Sequence, residues 1–543
     1  MSIFKRVSFF IGVKNILALS LLLIPFLTSA QKNIKPADTK HSSASVEKQT
    51  VQIHHANSLE FDKRLGDGAE RLIGNVELED DSVLMNCDSA YVYQDNTFRA
   101  FGHVHLNRKD SVHLFGDSLH YHGDTKQAEM FGKILCKEKS MTLNTQHLLY
   151  DLNADMVNYW DGGTLVDSTN TLVSTLGNYN TLSKIASFKQ NVVLTNPNYK
   201  VTCDTMNYSP SLQTAYFEGP TYITSKSNKM YCVAGYYNTK SGVSQFWNHA
   251  IVTSKKGEKL SGDSLYFNRK IDSGEVKQNV ALTDSTDNIT IRGNYAVYKG
   301  LKKTIMVTRR AVMQQAFEKD TLHLHGDTLF GLNISMSDTM PGNSSAPKLL
   351  LAYHHVQFFK KDMQGKCDSL TYDEKDSIMR MFRLPVVWSD HNQLTADTMH
   401  LFLENKKLSK LDMINNSFII SRDTLASKDD SLQFNQIKGR NMRGFFKNNK
   451  IFKVKVMGNA QTIYYVYSDN NTTLVGANRA DCSNMLVYID SNRVHSITYL
   501  QKPDATLFPT KDIKPADFLL GNFNWREAER PKKKEDIFGD EKF

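Results

Sequence analysis

One feature limits what this chain can fold into more than any other: a unit of ~30 residues that recurs along nearly its whole length, the signature of a repeat architecture. The first half of the unit reads small or polar, any, Val-like, any, Leu-like. Clear copies are Gly74-Asn75-Val76-Glu77-Leu78, Gly102-His103-Val104-His105-Leu106, Gln190-Asn191-Val192-Val193-Leu194 and Gln278-Asn279-Val280-Ala281-Leu282. The Val-like column runs Val76, Val104, Ile134, Thr164, Val192, Thr221, Ala250, Val280 and Ala311, at spacings of 28 to 31 residues. It continues with longer gaps through Val356, Val386, Ser417, Ala460 and Ala505. The second half reads Cys or Gly, Asp, Ser or Thr, Leu-like, any, aromatic, as in Gly116-Asp117-Ser118-Leu119-His120-Tyr121 and Cys203-Asp204-Thr205-Met206-Asn207-Tyr208. Alternation with period two places Val104 with Leu106, and Leu119 with Tyr121, on one face of a strand. No stretch after the leader sustains a helical apolar period, so the chain is all-β. A rung this small buries little alone, and neighbouring rungs must stack on a shared core.

The first thirty residues read as an export signal. Lys5-Arg6 precede an apolar run from Ile16 to Leu27, and Thr28-Ser29-Ala30 supply a small-residue cleavage site after Ala30. That run is short against the roughly 20 residues a membrane span needs. Loss of Lys5, Arg6 and Lys14 takes the formal charge from +9 to +6, too diffuse for a nucleic-acid surface. Hydrophobic residues at 40% and charged residues at 23% fit a folded chain and exclude a multi-span helical membrane protein. Residues 31–50 form a polar lead-in. Pro341-Gly342-Asn343-Ser344-Ser345-Ala346-Pro347 marks a loop over 335–348, with the first broken period, between sheet blocks at 51–334 and 349–509. A charged, loosely ordered tail is expected over 510–543.

The pairing of a Gly-x-Val-x-Leu strand with an Asp-Ser/Thr-Leu-x-Tyr strand, repeated behind a cleaved leader, resembles the OstA-like family of lipopolysaccharide-transport proteins, over roughly residues 50–505. The family includes periplasmic LptA-type bridges and the N-terminal domain of LptD-type translocons. The resemblance implies stacked short antiparallel strands in an open, twisted β-jellyroll or solenoid, with an apolar groove for lipid A acyl chains. It also implies a periplasmic location, possible only for an exported chain, with association at the outer membrane. Partners would be lipopolysaccharide and other sheet proteins joined by edge-strand pairing, including head-to-tail self-association. The chain departs from the family in having more rungs, in its later insertions, and in lacking a translocon barrel. A groove would be lined by Val76, Leu78, Val104, Leu106, Ile134, Val192, Leu194, Val280, Leu282 and Val386, opposed by Leu119, Tyr121, Met206, Tyr208, Leu265, Phe267, Leu370 and Tyr372. The same columns would equally serve a closed, filled core.

Chemistry-bearing residues point away from catalysis. The Asp column (Asp88, Asp117, Asp204, Asp263, Asp327, Asp368, Asp397, Asp430) repeats in every rung, whereas a catalytic pair occupies one distinctive environment. Turn capping by Asp-Ser/Thr accounts for it. His103 with His105, and His323 with His325, share strand faces but lack a third ligand, so no metal and no cofactor are expected. Cys203 and Cys232 fall at the same position of consecutive units, and stacking in register would bring them within bridging range. Two rivals to a lipid carrier stay open: an exported structural or adhesive solenoid, with a filled core, and a β-helical enzyme acting on polysaccharide.

Overall fold

In a computed structural model, residues 51–539 are described, apart from 62–67, 81–82, 109–111, 140, 227, 256, 287, 318–319, 333–347, 405–406, 424, 427–432, 448–449, 469–472 and 491–492. The expected leader, the polar lead-in, Asp430 and nearly all of the 335–348 loop lie outside the described residues. Every described pairing is antiparallel, and 36 strands form one continuous sheet. The chain meanders: Glu70–Asp80 pairs with Val83–Val92, then Thr97–Arg108, Val112–His122, Gln127–Glu138 and Met141–Asp151 follow in order. Pairing runs on past the loop, because Leu349–Lys360 takes Thr321–His325 and Thr328–Leu332 as partners. Residues from Thr50 onward make one compact unit, so no break in the sheet separates the two expected blocks.

Each long strand is bent at its middle, and the sequence places the bend. Register slips between Phe101 and Val104, and the two residues skipped, Gly102 and His103, both have positive φ. The same left-handed pair precedes the Val-like position at Gln190-Asn191, Asn248-His249, Gln278-Asn279, His354-His355 and Asn415-Asn416. Asn and Gly tolerate this conformation better than most residues, and the small-or-polar signature of the repeat is the record of that demand. At Gly102 a Cβ would also stand 2.2 Å from the Asp88 carboxylate. The bulge re-aims the chain, so the inward residues of both strand halves face one core. Phe98 and Ala100 point inward from one half of Thr97–Arg108, and Val104 and Leu106 from the other.

The sheet thus folds on itself as two arms. Arm A ends in turns such as Gly123–Lys126, and arm B ends at residues such as Asp80, Arg108 and Glu138. The Asp column sits at the corner between them: Asp88 accepts from His103 Nδ1 at 2.8 Å, Asp263 from Asn279 at 2.7 Å and Asp397 from Asn416 at 3.1 Å. Its role is to tie each bend to the next strand.

Residues 510–539 depart from the loosely ordered tail expected of them. They turn back along the chain and lie on the outer face of arm B, with Phe518, Leu520 and Ile537 buried. A face that can bury these apolar side chains and bond their backbone overrides the charge of Lys532-Lys533-Lys534.

Candidate functional site: an internal cavity

The eighteen residues expected to line a groove do not share one environment. Eleven from the first half (Val76, Leu78, Val104, Leu106, Leu119, Tyr121, Ile134, Val192, Leu194, Met206 and Tyr208) belong to one continuous core and are 0–2% exposed. Side chains of the two arms fill the space between them there. Leu265 and Val280 are buried in the same core, and Phe267 packs against it from a half-buried position. Leu282, Leu370 and Tyr372 line a cavity of about 1310 Å³ that occupies the interior from Glu258 onward. Val386 is fully buried but does not line the cavity: Pro385 follows the left-handed pair Arg383-Leu384, and it is Val387 that faces the cavity.

The first half is closed across its mouth. Asp80, on arm B, accepts from Tyr121 Oη at 2.7 Å and from Lys126 Nζ at 2.5 Å, both on arm A three strands further on. Arg108 reaches across to Asp155 and to Tyr150 Oη (2.7 Å), Lys184 reaches Glu138, and Tyr208 Oη donates to Asp167 at 2.8 Å. The aromatic position of the repeat therefore clasps the seam with its hydroxyl while its ring fills the core. Tyrosine suits such a boundary because one end is apolar and the other needs a partner.

Beyond Glu258 the arms part. Strands lengthen only towards the far end, to 16 residues at Lys407–Arg422, 18 at Lys450–Tyr467 and 17 at Leu474–Asp490, against 12 at Thr97–Arg108 and 11 at Met363–Asp373, which also lines the cavity. Six extra residues at ~3.4 Å each lengthen the two arms by roughly 10 Å apiece, more than one core layer can fill. The wall is aliphatic, with Met313, Leu324, Leu401, Leu411, Ile419 and Ile437 among its residues. Charged residues flank it on both sides, Lys348, Glu374 and Lys450 on arm A and Lys361, Asp390, Arg422 and Asp423 on arm B. An apolar interior with a charged rim is suited to hold the hydrocarbon part of an amphiphile. Sequence periodicity could not locate this cavity, because the same inward columns serve a filled and a hollow rung.

The expected bridge between Cys203 and Cys232 is absent, and all six cysteines are free and buried. Cys203 pairs with Thr221, and Thr221 pairs with Cys232, so a whole strand separates the two sulfurs. Two strand spacings put the Cα atoms ~9–10 Å apart, beyond the roughly 7 Å limit for a disulfide. Burial pushes both thiols up to about 12. Among the described residues no group of three or more His, Cys, Asp or Glu is placed to hold a metal, and no helix is long and apolar enough to cross a membrane.

Comparison with known proteins bears on the first half. Residues 48–204 match the family described as OstA-like protein. Among solved structures, the chain is similar to LptH of Pseudomonas aeruginosa, described as the LptA-homologous periplasmic component of the lipopolysaccharide transport device. That match has 14% identity and a TM-score of 0.18, and covers 26% of this chain and 84% of LptH. No curated protein matches. What the match over residues 48–204 shows is a likeness of that stretch to the OstA-like family.

Proposed function

We propose that this protein is a non-enzymatic carrier or bridge for lipopolysaccharide in the periplasm, exported by its leader, and that lipid A acyl chains occupy the cavity of the second half. The cavity carries this reading. It is apolar, bounded by both arms of one sheet and flanked by charge, in a chain whose residues 48–204 match the OstA-like family. Each methylene moved from water into such a space contributes ~0.8 kcal/mol, so many weak contacts supply grip without one dominant residue. The closed first half acts as a solid spacer whose terminal strands pair with other sheet proteins of the transport system, or with another copy. In that role Gln52–His55 and Ser58–Phe61, exposed and paired among the described residues only to Glu70–Asp80, offer the free edge.

Photo-crosslinking in cells tests the proposal. A crosslinker at Leu401 or Leu411 captures lipopolysaccharide, whereas one at Leu119, inside the solid half, and one at the outward His120 do not. Capture at none of the cavity positions sinks the cargo assignment.

A further inference from the structure

The outer face of arm B in the second half is built to hold an extended peptide. Three glutamines on successive parts of that face are nearly fully buried, and each bonds the segment that lies over it. Gln436 donates to Phe518 O at 2.8 Å and accepts from Leu520 N at 2.9 Å. Gln393 donates to Asn524 O at 2.7 Å and accepts from Arg526 N at 2.6 Å. Gln364 accepts from Arg530 Nε at 2.7 Å. In the first two cases a side-chain amide presents one donor and one acceptor to the peptide, as a neighbouring strand would. Around Gln436 the face is apolar, with Phe418, Ile420, Phe434 and Tyr465 forming a second core with Phe518 and Leu520, separate from the one between the arms.

The inner face of the same strands meets the cavity. Leu394 and Ile419 look into it while their neighbours Gln393 and Ile420 look out at the segment. A sheet that fronts a void lacks dispersion contacts on that side, and its stiffness must come from elsewhere. We infer that residues 518–538 act as an external brace: docked through Gln364, Gln393 and Gln436, they hold arm B in place where a cavity replaces part of the interior packing, and so keep the cavity in shape for its ligand. The inference rests on the cavity being the ligand site, but its mechanical part is testable without ligand.

The experiment compares the full chain with Gln393→Ala/Gln436→Ala, and with the milder single variant Gln393→Leu should the double variant fail to fold. Three quantities are read: protease cleavage at Lys532-Lys533-Lys534, amide exchange strand by strand, and affinity for a fluorescent fatty-acid probe. The brace predicts faster cleavage, and at least ten-fold faster exchange in Phe434–Lys447 and Asn392–Thr395 with Thr97–Arg108 unchanged. Probe affinity falls at least ten-fold. Unchanged cleavage overturns the glutamine docking, and faster cleavage with unchanged exchange overturns the brace. A wild-type chain that ignores the probe removes the ligand reading instead, and the exchange comparison still decides the brace.

Discussion

Tyr121 and Leu411 both point inward from the same sheet, and they meet different things. Tyr121 touches Phe98 with ring centroids 4.9 Å apart and fixes its hydroxyl on Asp80, while Leu411, buried in the same core, lines the cavity. One repeat thus yields a solid rung and a hollow rung. What changes towards the far end is arm length: short strands let side chains from both arms meet, and the longest strands leave more interior than they fill, although Lys348 Nζ still reaches Asp284 across the seam at 2.6 Å. Where the interior is lost, support moves to the outside, as the buried glutamine face shows.

The sharpest way to break this contrast is to cut side chains on each side of it. Phe98→Ala should cost ~3–5 kcal/mol, because the solid half cannot collapse around so large a hole. Leu411→Ala should cost less, ~2 kcal/mol, since it enlarges a space that already exists. Denaturant unfolding followed by exchange in the surrounding strands compares the two; equal losses would mean the halves are packed alike. The seam comes next. Asp80 has 3% side-chain exposure, and Lys126→Met strands its charge at a cost of about 3 kcal/mol. Adding Asp80→Asn should return most of that stability, and failure to do so in thermal melts would show that the clasp works through packing alone. Smaller still is the reverse operation. Ala100→Phe should cost ~1–3 kcal/mol by overpacking, while Leu401→Phe, facing the cavity, should cost under about 1 kcal/mol. A fatty-acid probe competing only with the second variant would place both in their proposed compartments.

The strand content and the repeat length were legible in the sequence, because period two and a fixed unit follow directly from sheet geometry. The corner was visible but misread. Pairs such as Gln190-Asn191 looked like ordinary strand positions, and only their positive φ shows that the repeat's small-or-polar positions are the bend itself. In the last copy the left-handed pair is Gln501-Lys502, so the column falls at Pro503 and not at Ala505. The disulfide reading failed because equal positions in consecutive units are two strands apart, each unit contributing two strands. The docked C-terminal segment was hidden by its own lysines. Its signal lay elsewhere, in Val386-Val387-Trp388 and Phe418-Ile419-Ile420, which break the alternation because those strands are covered on both faces.

The smallest expected effect tests the outside of the hollow half. Arg526 holds Glu529 down to about 2, with Lys366 of the sheet adding to it at 2.8 Å. Unfolded, the same carboxyl titrates near 4.5. Between those values the docked state binds fewer protons, so its advantage is complete above pH ~4.5 and is lost as pH falls through about 2. Glu529 is partly exposed, so solvent screens the pair and the change is modest. Trp525 reports it, because its ring packs on Phe434 at 5.1 Å and would be released as the segment loosens. Acidification should therefore shift Trp525 emission between pH 4.5 and 2, and Glu529→Gln should flatten that transition while leaving the seam at Asp80 intact. An identical acid transition in the variant would mean that Glu529 does not hold the segment, leaving its attachment to the buried glutamines and the aromatic cluster around Phe434.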